Sequence, residues 1–237
     1  MARLRTPIWL PSELVFPPVS LATRDGLLAV GGDLSLERLL LAYASGIFPW
    51  PSDGMPLLWF APPQRAVVRP RELHVGRSLR KVVSRGPFEV RMDTVFSSVI
   101  AACAKIPRRH ESGTWILPEM QQAYAALHEA GFAHSVETFL GGELVGGLYG
   151  VSLGGLFFGE SMFAKVDDAS KVAMARLAQQ LAAWDFDLID GQVMNHHLER
   201  LGFALIPRSE YMTTLQQSME RPTRRGKWSF DDESASE

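Results

Sequence analysis

Four short segments concentrate side chains that packing alone does not require. They are Gly46-Ile47-Phe48-Pro49-Trp50 followed by Leu58-Trp59-Phe60, Glu111-Ser112-Gly113-Thr114-Trp115-Ile116, Phe158-Gly159-Glu160-Ser161-Met162-Phe163, and Leu188-Ile189-Asp190-Gly191-Gln192-Val193. Glu160 stands in an otherwise apolar strand pattern. An ionised carboxylate there needs a partner or a task, unless alternation turns it to water. Asp190 and Gln192 follow the apolar run from Phe186 to Ile189. Polar residues at the C-terminal ends of strands in α/β sheets often line a site. Their i, i+2 spacing puts both side chains on one face if the strand continues, where they would hydrogen-bond each other. The plainer alternative is that Asp190 starts a turn at Gly191. Trp50 and Trp115 lie beside Pro or Gly in apparent loops, each either a lid on the core or a stacking surface. Base–aromatic stacking contributes roughly 1–3 kcal/mol per base, and two such rings could hold one purine between them.

Other chemistries lack their residues. His196 and His197 are adjacent, so on a helix they point about 100° apart and cannot share an ion, and no HExxH spacing exists. No metal is expected. No GxxxxGK[ST] loop is present, which argues against nucleotide hydrolysis. Cys103 is the single cysteine, so no intrachain disulfide can form. The N-terminus carries no signal-like apolar run and no stretch approaches the roughly 18 apolar residues of a membrane span. A cytoplasmic compartment and no membrane partner are expected. The formal net charge is −2, which argues weakly against nucleic acid. Its distribution argues the other way. Arg65, Arg69, Arg71, Arg77, Arg80, Lys81, Arg85 and Arg91 face only Glu72 and Glu89 in that stretch, so a basic face on an acidic body is expected, unless these are ordinary solvated charges.

The elements that must hold these residues follow from periodicity and punctuation. The first ~65 residues are rich in proline and read as loops and short extended pieces. One helix stands out there, Leu36 to about Ala44, with Ser35 as N-cap and Gly46 as stop. Beyond Arg65 the pattern predicts a helix at Arg77–Ser84, a strand at Phe88–Met92, and a helix capped by Asp93 that runs to Lys105. A helix from Pro118 to just before Gly131 follows. Strands at Ala133–Leu140, Leu144–Val151 and Leu156–Phe163 turn at Gly141-Gly142 and Gly154-Gly155. Asp168 is expected to cap a helix through Trp184. A strand at Phe186–Asp190, a helix at Asn195–Leu201, a strand at Phe203–Ile206 and a helix at Arg208–Glu220 complete the order. The reading is α+β: a small N-terminal domain over 1–65, a larger domain over 66–220, and a polar, mobile tail over 221–237. The element order of the larger domain resembles the acyl-CoA N-acyltransferase (GNAT) fold.

GIFPW, GTWI, FGESMF and LIDGQV, in this order and spacing, resemble the bacterial leucyl/phenylalanyl-tRNA–protein transferases. Gly26–Leu34 and Leu144–Gly150 resemble them too, so the likeness runs from about Phe16 to Tyr211. It implies transfer of Leu or Phe, and less well Met, from leucyl-tRNA or phenylalanyl-tRNA to proteins with N-terminal Arg or Lys, marking them for degradation. No cofactor is implied. By the resemblance Trp50 and Trp115 sandwich the terminal adenine of the tRNA. Glu160 contacts the reacting amino groups or the acceptor's basic end, and Asp190 and Gln192 form the catalytic pair. Tyr124, Leu148, Phe157, Met162, Leu177 and Leu181 form the pocket for the Leu or Phe side chain. Arg77, Arg80, Lys81 and Arg85 would hold the tRNA backbone.

The chemistry is modest. An aminoacyl ester is already activated, so aminolysis needs positioning more than power. A Gln amide is too weak a base to take the amine proton, so Gln192 is expected to orient the amine, held by Asp190. The rival reading is an acyl-CoA N-acetyltransferase. Ala164–Lys171, where such folds cradle pyrophosphate on glycines, has no glycine and places Asp167 beside Asp168.

Overall fold

The computed structural model describes residues 8–52, 54–106 and 114–231. The proline-rich N-terminal segment holds more strand than its composition implies. β1 (Ile8–Trp9), β2 (Leu27–Val30), β3 (Phe48–Pro49) and β4 (Leu58–Phe60) form a sheet in the order β1-β2-β4-β3. Pro49 is tolerated because β3 is an edge strand, where a missing donor costs no ladder bond. α1 (Leu36–Ala44) starts at Ser35, whose hydroxyl accepts from Arg38 N, and ends before Gly46. Gly46 has φ +72°, and a Cβ there would lie 2.7 Å from Met212 Sδ. Glycine takes that turn without the strain and crowding a side chain would bring.

The larger sheet is mixed. It contains β5 (Gln64–Val68), β6 (Glu89–Met92), β7 (Ala133–Leu140), β8 (Glu143–Leu153), β9 (Leu156–Ala164), β10 (Leu188–Asp190) and β11 (Ala204–Pro207), in the order β11-β5-β10-β9-β8-β7-β6. The β9–β10 pair is parallel and the other pairs are antiparallel. Helices α2 (Arg77–Arg85), α3 (Phe96–Lys105), α4 (Pro118–Glu129), α5 (Ala169–Ala183), α6 (His196–Arg200) and α7 (Arg208–Met219) complete the fold. Element types follow the periodicity closely, and most ends differ by one or two residues.

Alternation along the strands feeds two cores. On one face Tyr149 and Phe158 pack with Phe96 and Tyr124, and with Leu39, Tyr43 and Trp59 from the first 65 residues. Residues from both sides of Arg65 thus share one core. On the other face Leu148, Phe157 and Ile189 pack with Leu177 of α5 and with Trp228 and Phe230.

The structure departs from two expectations. Asp93 does not cap α3, whose N-cap position is Val95. Asp93 takes φ +53°, and its buried carboxylate accepts from Ser135 N at 2.8 Å and Trp228 N at 2.7 Å and meets His134 Nδ1 at 2.8 Å. The tail after Glu220 is not loose as far as Asp231. Trp228 stacks on His134, and Asp231 accepts from Gln180 Nε2 at 2.7 Å. Two aromatic rings in a polar segment supply the apolar area that anchors it. Residues 232–237 of the expected tail lie outside the described residues.

Candidate active site

β9 and β10 run side by side only from Leu156/Leu188 to Phe158/Asp190. Beyond that point the chain after β10 turns to β5: Gly191 N donates to Ala66 O at 2.8 Å, and Ala66 N to Gln192 O at 3.1 Å. β9 continues to Ala164 against β8. The two strands therefore part, and a cavity of about 560 Å³ opens between them. Gly159–Ala164 and Gly191–Asn195 line its sides, so Glu160 and Gln192 face the same space. Gly191 lets Leu198 and Phe203 pack closely at the fork: a Cβ there would lie 2.6 Å from Leu198 Cδ1 and 3.0 Å from Phe203 Cε1.

Glu160 is the electrostatic centre. The residue keeps some exposure, but its carboxylate is ringed by donors. Tyr43 OH donates to Oε1 at 2.8 Å, Tyr124 OH to Oε2 at 3.0 Å, and Gln192 Nε2 to Oε1 at 2.7 Å. The two tyrosine hydroxyls also contact each other. Burial pushes the Glu160 carboxyl up from an ordinary 4.5 to about 7, although the three donors pull it the other way. Burial and the charge of Glu160 raise both tyrosines well above 10, so they stay protonated donors.

Asp190 has a different place from the one its spacing suggests. Gln192 takes φ +58°, so the strand does not continue and the two side chains do not share a face. Asp190 Oδ1 accepts from the backbone N of Gln192 at 2.8 Å, and the Gln192 amide goes to Glu160. The Asp190 carboxylate is fully buried against Arg65, with Nε 2.9 Å from each oxygen and Nη2 2.8 Å from Oδ2, and it accepts from Tyr211 OH at 2.7 Å. The expected Asp190–Gln192 side-chain bond is therefore replaced by a Glu160–Gln192 bond.

Trp50 and Trp115 are half-buried in the wall of the same cavity, with Phe48 and Ile106 beside them. Glu111, Ser112 and Gly113 of the second motif lie outside the described residues. The side-chain pocket is partly redrawn. Leu148 and Met162 line the cavity, together with Ser170, Met174, Ile189, His197, Leu198 and Phe203. Phe157, Leu177 and Leu181 are not among its lining residues. They sit in the apolar cluster that contains Leu148 and Met174. Tyr124 serves Glu160. Burial lowers the pKa of His197 below 6.5, helped by nearby Lys171 and Arg200.

The basic run contracts to one element. Arg65 is buried, Arg69 pairs with Glu72, Arg71 with Asp185, and Arg91 with Glu89. Arg77, Arg80, Lys81 and Arg85 remain exposed on α2 and line a shallow concavity with Ser84 and Gly86.

Sequence reasoning missed Tyr43, Arg65 and Tyr211 as members of the site. Tyr43 lies in the apolar stripe of α1, where only its hydroxyl hints at a polar neighbour. The signal for Arg65 was Asp190 itself, since a buried carboxylate demands a cation or several donors.

A family model described as leucyl/phenylalanyl-tRNA protein transferase matches residues 67–216, and one described as its N-terminal domain matches residues 32–63. The chain is 56% identical over 225 residues, 94% of this chain and 96% of its relative, to a leucyl/phenylalanyl-tRNA–protein transferase of Myxococcus xanthus. It is 53% identical over 227 residues, 95% and 97% of the two chains, to one of Nitrosospira multiformis. Similarity to solved structures is remote. A GCN5-related N-acetyltransferase-like protein from Streptococcus suis overlaps with a TM-score of 0.33 and 16% identity, over 73% of this chain and 65% of that one.

Proposed function

This chain belongs to the leucyl/phenylalanyl-tRNA–protein transferase family, and from that premise we propose how its cavity performs the transfer. The activity is aminoacyl transfer from leucyl- or phenylalanyl-tRNA to a protein. The acceptor is the α-amino group of an N-terminal Arg or Lys, and the product is marked for degradation. The reaction belongs in the cytoplasm, where aminoacyl-tRNA is made. The larger sheet is of GNAT type, a reading supported by its mixed order and by helices on both faces, and the chain divides near Arg65 into a small and a large domain.

The observation that carries the mechanism is the placement of Glu160, Gln192, Trp50 and Trp115 around one cavity. The terminal adenine stacks between Trp50 and Trp115. The aminoacyl side chain enters the apolar part near Leu148, Met162 and Met174. The acceptor amine approaches Gln192 and Glu160. With its Nε2 committed to Glu160, the Gln192 amide is oriented and its carbonyl oxygen accepts from the amine. Glu160 Oε2 takes one hydrogen bond from Tyr124 and has a further lone pair for the same amine. The amine nitrogen attacks the ester carbonyl, a C–N bond forms, and the bond to the ribose oxygen breaks. A carboxyl with a pKa of about 7 is matched to receive the amine proton, which then leaves on the ribose hydroxyl. No covalent enzyme intermediate is needed. Exposed α2 binds phosphates of the tRNA through Arg77, Arg80, Lys81 and Arg85.

The test is labelled leucyl-tRNA with a protein bearing N-terminal Arg. Label should enter that protein and not one bearing N-terminal Ala or acetyl-Arg. Equal labelling of all three would overturn the acceptor assignment. Tight binding of acetyl-CoA with no transfer from tRNA would favour the N-acetyltransferase reading.

A further inference from the structure

We propose that Arg65 is a positioning residue for the transfer, a single guanidinium that sets the donor side and the acceptor side of the cavity together. The proposal rests on the reading that Trp50 takes the donor's adenine and Gln192 faces the acceptor amine. Arg65 projects from β5 and is 2% exposed. Its Nη1 donates to Gly46 O at 3.0 Å, at the start of the segment that carries Phe48 and Trp50. Its Nε and Nη2 hold Asp190, whose Oδ1 in turn holds the backbone N of Gln192 at 2.8 Å. The ring of Phe48 lies 4.8 Å from the guanidinium carbon, and that of Tyr211 lies 4.6 Å from it. Phe48 is also the neighbour of Trp50, with ring centroids 6.2 Å apart.

The path is therefore continuous from Trp50 through Phe48 and Arg65 to Asp190 and Gln192, and it uses one rigid planar group. Burial disfavours the charged form of the guanidinium. The charge of Asp190 outweighs that and raises its pKa, so the group stays cationic. A lysine cannot replace it. An ammonium keeps the charge beside Asp190, but it lacks the planar fork that reaches Gly46 O in a second direction. Gln192 needs such external support because its left-handed backbone, φ +58°, is strained for a side-chain-bearing residue. Arg65 touches no reacting atom, so its effect on rate must run through the groups it holds.

Arg65→Lys is the decisive variant, assayed with phenylalanyl-adenosine as donor and an N-terminal Arg peptide as acceptor. Donor affinity and turnover at saturating donor should each fall roughly tenfold, the scale of a buried acceptor losing its donor, while near-UV circular dichroism stays native. In Trp50→Ala the same change should cost no further donor affinity, and in Gln192→Ala no further turnover. Tyr211→Phe removes only a bond to Asp190, so it should lower turnover and spare donor affinity. Losses that multiply with both partner variants would overturn the proposal, as would a folded Arg65→Lys protein with either parameter unchanged. If Arg65→Lys does not fold, Phe48→Leu takes its place. It loosens the guanidinium from one side and should lower donor affinity and turnover together, whereas unchanged turnover counts against the coupling. Wild-type protein that fails to transfer from leucyl-tRNA refutes the functional reading itself, which separates that failure from a failure of Arg65.

Discussion

Glu160 is the residue whose protonation should govern rate. Its carboxyl titrates near 7 because burial outweighs the three donors around it. Activity should rise with pH through about 7 as Glu160 becomes able to take the amine proton, and a second rise should follow from the acceptor amine. In Glu160→Gln the rate should fall by 10²-fold or more, on the scale of lost general acid–base catalysis, and the first inflection should vanish while the second stays. A pH–rate profile of the two proteins checks this, and an unchanged first inflection would assign it elsewhere. Gln192→Ala should lower turnover far more than donor affinity. Because Gln192 Nε2 donates to Glu160, the double variant with Glu160→Gln should lose little beyond the worse single variant. Fully multiplicative losses would show that the two act independently.

At the scale of elements, α2 and the β9–β10 fork divide the labour. α2 presents Arg77, Arg80, Lys81 and Arg85 to solvent, with Arg80 Nε also held by Val75 O at 2.9 Å. Changing Arg80 and Lys81 together to Ala should weaken tRNA binding, with a reduction in salt slope of about 0.7–1 per phosphate contact removed. Transfer from phenylalanyl-adenosine should be untouched, because that donor has no phosphates for α2. A titration series in salt, run beside the short-donor assay, tests both halves. An equal loss with the short donor would place α2 in the cavity's support and not on the tRNA.

The whole molecule depends on its C-terminal segment. Trp228 and Phe230 are buried against α5 and His134, and Trp228 N donates to Asp93 at 2.7 Å. Trp228→Ala should cost about 3–5 kcal/mol in urea unfolding, the usual range for deleting a large buried ring. A change under 1 kcal/mol would mean the segment is only laid on the surface. Stability should also depend on pH with a defined sign. Burial raises Glu137 as well as Glu160 from 4.5 to about 7. Between those values the folded protein holds more protons than the unfolded chain, so these two groups favour folding fully below about 4.5 and lose that contribution as pH rises through about 7. The urea midpoint at a series of pH values should show this decline, and Glu137→Gln should flatten it.

Much was legible in the sequence because it is written in local terms. The 3.6 and 2.0 periods of apolar residues, the cap at Ser35 and the paired glycines at 141–142 placed the helices and the strands of the larger sheet other than β5 to within a few residues, but not the short strands of the smaller sheet. The four segments also marked Trp50, Trp115, Glu160 and Gln192 before any geometry was known, since each puts a polar or aromatic side chain where packing does not need one. Which atoms meet was not legible. The separation of β9 from β10 is a property of two strands distant in sequence, and it alone puts Glu160 in reach of Gln192. The left-handed turn at Gln192 leaves Asp190 bonded to its backbone N and not to its side chain, and the Asp190 carboxylate is also held by Arg65 and Tyr211, residues 125 and 21 positions away. The segment after Glu220 reads as a polar, mobile tail, yet two aromatic rings bind it to a core built from other elements. Periodicity reports which face of an element is buried. The partner that buries it, and the charge that answers a buried charge, are chosen only when the chain closes on itself.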